Sequence, residues 1–186
     1  MPLQKGDVLC IYSPWEWNDI AGSIIPWLIR VSTRSNRSHV AWVIDDHTVL
    51  EALEHGIVVS PISDYDIHDQ NKVLIRRVKP EYLTSDQVSK AVDYACLNYK
   101  GKPYDTLEIL RLLLVSIFRR RKTVPIDSAG KNDTAFICSE EIARALHALY
   151  GFLVRDDVPA WQNTEPKDFA VSDKFMTIDP SVGNRQ

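Results

Sequence analysis

Cys138 stands between Phe136-Ile137 and Ser139-Glu140-Glu141, where an apolar run gives way to a helical pattern that lasts to Tyr150, before Gly151. A cysteine at the start of a helix is placed for nucleophilic chemistry. The reactive species is the thiolate, and the unpaired N–H groups and positive dipole end of the helix favour that anion. Glu140 and Glu141 in the first turn suit the dipole, although their charge opposes a thiolate. Cys138 also shares a helical face with Ile142, Ala145 and Leu149, so an inert core cysteine is the plain alternative.

A thiol nucleophile needs a base, and His39 opens a β-rich run, Ser38 to Ile44, in which His39, Ala41 and Val43 share one face. The next run, Thr48 to Leu53, follows after Asp45-Asp46-His47. A three-residue turn there pairs Ile44 with Thr48 and Ala41 with Glu51, which brings Glu51 to the face of His39, one diagonal away. A two-residue turn puts the two on opposite faces. In the first register Glu51 can orient the imidazole and stabilise its cation, completing a nucleophile, base and orienter; otherwise it is a solvated strand residue.

Other reactive side chains read more plainly. Cys10 suits a core strand, Cys96 a helix packing position, His47 a turn, His55 and His68 loops, and His147 the polar face of the last helix. Tyr104, in the turn Lys100 to Asp105, is the candidate substrate-binding residue, with a buried tyrosine of satisfied hydroxyl as the alternative. Three cysteines with no CxxC and no Cys/His cluster at zinc spacing argue against a disulfide framework and against a metal site. No cofactor is expected.

The elements that must position these residues follow from periodicity. Val8 to Tyr12 reads as a buried strand after the turn Gly6-Asp7, and Asn18 or Asp19 can cap a helix carrying Ile20, Ile24, Trp27 and Leu28. Gly56 to Pro61 and Lys72 to Val78 add two strands, for an antiparallel sheet of four or five. Thr84 and Gln87 have capping-box spacing ahead of the stripe Val88, Val92, Ala95 and Tyr99, with Gly101 placed to stop that helix. Leu107 to Phe118 is helical in character and ends in four basic residues, Thr123 to Thr134 is a loop, and the tail is mostly irregular.

The chain has 186 residues, 45% of them hydrophobic, with 22 Lys plus Arg against 25 Asp plus Glu and a net charge of −3. That supports one domain over 1–186 with a core large enough to need no staples. A pI of about 5.9 lacks the basic footprint of a nucleic-acid binder. The apolar stretch Leu107 to Phe118 falls short of the roughly 20 residues that a membrane span requires. The N-terminus lacks the pattern of a secretory signal, so the expected location is the cytoplasm.

Several of these segments carry a family resemblance. Gly6-Asp7-Val8-Leu9, Ile29-Arg30, Ser38-His39-Val40-Ala41, Val49-Leu50-Glu51-Ala52, Gly56-Ile57, Pro61-Ile62-Ser63-Asp64-Tyr65, Tyr99 to Asp105, Phe136-Ile137-Cys138-Ser139-Glu140 and Pro166-Lys167-Asp168-Phe169 resemble, in order, the circularly permuted papain-like hydrolases. Among these the chain looks most like the YiiX/YebB-like branch of the NlpC superfamily, related to lecithin retinol acyltransferase. The resemblance implies an α+β fold with a small antiparallel sheet packed against helices. It also implies Cys138 as nucleophile, His39 as base and Glu51 as the third residue, in a hydrolase that works through an acyl-enzyme without metal. The basic, polar stretch from Arg119 to Thr134 departs from the family pattern.

The reading that follows is cleavage of an amide bond in a peptide or peptidoglycan fragment. A second is a lipid acyl hydrolase or acyltransferase, with Leu107 to Phe118, its basic end and Trp15, Trp17 and Trp27 resting on a membrane surface. A third is a binding module on the same fold in which Cys138 is an ordinary thiol.

Overall fold

The computed structural model describes residues 1–12, 37–53, 56–103, 138–158, 160–161 and 164–180. The expected helix after Asn18, the Leu107 to Phe118 helix, the 123–134 loop, Tyr104 and His55 lie outside the described residues. The described chain is α+β. Six strands form one antiparallel sheet: β1 (Val8–Ile11), β2 (His39–Val43), β3 (Thr48–Leu53), β4 (Gly56–Pro61), β5 (Val73–Val78) and β6 (Phe175–Ile178). Their order across the sheet is β4-β3-β2-β1-β5-β6. The helices are α1 (Ser85–Asn98), α2 (Cys138–Tyr150) and α3 (Pro166–Val171).

Alternation along the strands divides the core in two. Val8, Cys10, Val40, Trp42, Leu50 and Ala52 meet Val88, Ala91, Val92 and Ala95 of α1, Ile142, Ala145 and Leu146 of α2, and Phe169 of α3. The intervening residues Leu9, Ile11, Ala41, Val43, Val49, Val73 and Ile75 form a second cluster with Ile62 and Ile178 on the opposite face. Helix α2 packs on α1, β2 and β3, while α3 packs on β1 and β5. Leu149, expected on the buried face of α2, is 39% exposed, because the packed stripe stops at Leu146.

The local signals for α1 act as the sequence requires. The Thr84 hydroxyl accepts from the Gln87 N–H, and the Gln87 side chain accepts from the Thr84 N–H at 2.9 Å. Gly56 adopts φ 117°, and a Cβ there would meet the Lys102 carbonyl oxygen at 2.5 Å. Glycine thereby lets β4 approach the chain that leaves α1: the Ile57 N–H donates to Lys102 at 2.9 Å, and the Gly101 N–H donates to Ile57 at 2.8 Å.

The tail corrects the expectation of irregular structure and of only four or five strands. Pro166 opens α3, and the Glu165 N–H donates to the Asp168 carboxylate at 2.8 Å. Strand β6 then adds to the free edge of β5, pairing Ile75 with Ile178 and Val78 with Phe175. Arg76 ties these pieces together by donating to the carbonyls of Phe169 at 3.2 Å, Ser172 at 2.5 Å and Phe175 at 2.8 Å. The next residue on β5, Arg77, forms a two-pronged ion pair with Asp7 at 2.6 and 2.7 Å, with Asp7 1% exposed.

Candidate active site

The register of the β2–β3 hairpin decides where Glu51 points. Asp45 accepts from the N–H groups of His47 and Thr48 at 2.8 and 2.9 Å and from the Thr48 hydroxyl at 2.8 Å, which closes the three-residue turn. Ile44 N–H donates to Thr48, and Ala41 faces Glu51. Of the two registers that the sequence allows, this is the one that puts Glu51 on the face of His39. His39 itself begins β2 opposite Ile11. The chain entering it is held by Arg37, whose guanidinium donates to the carbonyls of Gln70, Asn71 and Lys72 at 3.0 to 3.1 Å.

His39 Nε2 lies 2.7 Å from Glu51 Oε2. Nε2 is thereby committed, which leaves Nδ1 for the thiol of Cys138, and Cys138 stands within hydrogen-bonding reach of the ring at the first residue of α2. Burial of the imidazole works against its cation. The charge of Cys138 and its hydrogen bond, followed by the hydrogen bond and charge of Glu51, outweigh burial and raise the His39 pKa from 6.5 to about 10. His39 is therefore an imidazolium at neutral pH.

Glu51 is 1% exposed. Burial alone would raise its carboxyl, yet the hydrogen bond and charge of His39, with hydrogen bonds from Ser60 and Tyr65, hold it below its ordinary 4.5. The Tyr65 hydroxyl reaches the same oxygen as His39, at 2.5 Å. A buried anion, a cation beside it and a cysteine at a helix start thus form one connected group.

Glu141, one turn beyond Cys138 on α2, is the exception to charge pairing. It is 0% exposed, and both carboxyl oxygens are buried without a hydrogen-bond partner. Burial pushes its pKa well above 4.5, and the charges of Cys138 and Glu51 add to that against a partial offset from His39. The sequence suggested a charge that suits the helix dipole; burial without partners instead favours the protonated form of Glu141.

The other cysteines are set apart from this group. Cys10 is 0% exposed, and burial raises its thiol to about 12 against the lowering charges of Arg76 and Arg37. Cys96 is part-exposed, and burial followed by the charge of Asp93 raises its pKa. Cys138 is itself 0% exposed and packs with Ile142 and Ala145. Tyr65, Ser60 and Glu141 were not legible as site residues. The one signal for Tyr65 was its place in the Pro61 to Tyr65 segment, and nothing in sequence marked Ser60.

No family model matches the chain, and no curated protein matches it. Among solved structures, the chain is similar to the crystal structure of metalloprotein yiiX from Escherichia coli O157:H7, DUF1105. The two superpose with a TM-score of 0.62 at 20% identity, over 95% of this chain and 96% of that one. The fold is YiiX-like.

Proposed function

We propose that this chain is a cysteine hydrolase of the permuted papain-like, NlpC-superfamily type, which cleaves an amide bond in a peptide or cell-wall fragment through an acyl-enzyme on Cys138. The observation that carries the reading is the contact series Cys138, His39 and Glu51, with 2.7 Å between His39 Nε2 and Glu51 Oε2 and the cysteine at the first residue of α2. A thiol beside an imidazole that is itself held by a carboxylate is the arrangement nucleophilic catalysis requires.

In the reaction, the proton of the Cys138 and His39 pair already sits on the ring, and the Cys138 thiolate attacks the substrate carbonyl carbon. The N–H groups at the start of α2 are the candidate donors to the oxyanion. The imidazolium returns its proton to the leaving amine as the C–N bond breaks, and a thioester remains. Water then attacks the thioester with His39 as base, and expulsion of the thiolate restores the thiolate and imidazolium pair. Glu51 keeps the ring in place and stabilises its charge throughout.

The YiiX neighbour is described as a metalloprotein. Here the donor set does not fit a metal: His39 Nε2 and Glu51 Oε2 are bonded to each other, and among the described residues no three His, Cys, Asp or Glu side chains are grouped to hold an ion.

The test is capture of the acyl-enzyme. Incubation with peptide and ester substrates, followed by peptide mass spectrometry, is expected to give a Cys138 acyl adduct that is absent from His39→Ala. Turnover of substrate by Cys138→Ala at the parental rate would refute the reading.

One observation favours a second reading. Cys138 is 0% exposed, which suits a binding module whose cysteine is part of the core. That reading predicts intact biological activity in Cys138→Ala. The lipid-acyl alternative rests on residues outside those described; liposome pelleting at low salt tests it, and no binding there excludes it.

A further inference from the structure

Three donors converge on the Glu51 carboxylate: His39, Tyr65 and Ser60. Two of them share one oxygen, with His39 Nε2 at 2.7 Å and the Tyr65 hydroxyl at 2.5 Å from Oε2. Tyr65 is not free to drift. It follows the short 3-10 turn Ile62–Asp64, its N–H donates to the Ile62 carbonyl at 3.0 Å, and Ile62 N–H donates to the His47 carbonyl in the β2–β3 turn at 2.8 Å. Its ring packs against the second core cluster. The hairpin that presents His39 and Glu51 therefore also anchors the tyrosine that bonds them.

Burial, then the charge of Glu51 and the hydrogen bond to it, push the ionisation of Tyr65 above the ordinary tyrosine range, so its hydroxyl remains a donor at every working pH. A hydrogen bond to an ionised acceptor is strong, and it lowers the proton affinity of that acceptor. Two donors on one oxygen consequently compete for the same negative charge.

We propose that Tyr65 is a positioning residue of this site: it fixes the rotation of the Glu51 carboxylate and draws off part of the charge that His39 feels, so that the imidazolium can release its proton to the leaving group. The inference rests on the hydrolase reading above. The groups that face His39 are Cys138 and Glu141 from α2 and Glu51 from β3, with Tyr65 acting through Glu51. Arg37, two residues before it, is turned to backbone carbonyls. A tyrosine that merely satisfied a buried carboxylate would affect stability and leave the His39 titration where it is.

The experiment is the His39 titration midpoint, read by NMR on the full chain with carbon-13 labelled histidine and assigned with His39→Gln. It compares the parent, Tyr65→Phe, and a chain with 3-fluorotyrosine at position 65, which is the stronger donor and keeps the comparison open if Tyr65→Phe fails to fold. The expected order is Tyr65→Phe highest, parent between, and fluorotyrosine lowest, with about half a pH unit between neighbours. The rate of Cys138 alkylation is measured in the same samples. Equal midpoints with a reactive Cys138 overturn the positioning role and leave the hydrolase reading intact. A Cys138 no more reactive than Cys10 and Cys96 overturns both.

Discussion

Replacing Glu141 with methionine should stabilise this protein, and by more as the pH rises. The residue is 0% exposed with both carboxyl oxygens unpartnered, inside a helix face formed with Ile142 and Ala145. A buried polar group without partners costs about 1 to 3 kcal/mol, and methionine removes that penalty while filling similar space in a good helix-forming residue. The linkage has a definite sign. The folded-state pKa of Glu141 lies well above 4.5, so the stability due to its proton is fully present below that value and is lost as the pH rises through the folded pKa. Glu141→Met carries no such proton, so its advantage should be smallest near pH 4.5 and widen from there. Urea unfolding at three pH values, with the slope m checked for constancy, measures the difference; at neutral pH the melting temperature should rise by roughly 2 to 12 °C. A variant less stable than the parent, or an advantage that does not change with pH, would refute the claim that unpartnered burial raises the Glu141 pKa.

Three further outcomes follow from the same geometry. Glu51→Gln exchanges a charge-assisted hydrogen bond for a neutral one, so the His39 midpoint should fall from about 10 by about one pH unit, measured by NMR titration. The parent should be most stable near pH 4.5, because the contribution of the Glu141 proton already declines above that value. The depressed carboxyl of Glu51 gives stability that is lost as the pH falls, whereas the raised pKa of His39 gives stability that is full below 6.5 and lost as the pH rises to about 10; a thermal scan across pH measures both limbs. Asp7→Asn breaks the two-pronged pair with Arg77 at the buried end of β1, so denaturant unfolding should register a loss of about 3 to 5 kcal/mol.

The positions of His39 and Glu51 were legible because they depend on short-range chemistry. Asp45 closes a three-residue turn onto His47 and Thr48, and strict alternation then carries the parity out to Glu51. The start of α1 was legible for a similar reason, since Thr84 and Gln87 are three residues apart and cap one another. Strand β6 is a different case. Its four residues bury Phe175 and Ile178 and leave Met176 and Thr177 more open, a pattern without alternation that forms only by pairing with β5, nearly a hundred residues earlier. Tyr65 and Ser60 belong to the site only because β4 folds beside β3. Glu141 misled for the opposite reason: its place in the first turn of a helix suggested a charge suited to the dipole, and only the packing of α2 against the sheet buries it.

The central claim, that Cys138 and His39 work as a thiolate and imidazolium pair, is tested most directly by the rate of iodoacetamide labelling at Cys138 against pH. Peptide mass spectrometry provides the readout, with Cys10 and Cys96 as internal controls and His39→Ala measured beside the parent. The pair predicts that Cys138 labels faster than both controls below pH 7 and loses that advantage in His39→Ala. A Cys138 that labels no faster than Cys10 and Cys96 at any pH, or one that keeps its advantage without His39, would contradict it.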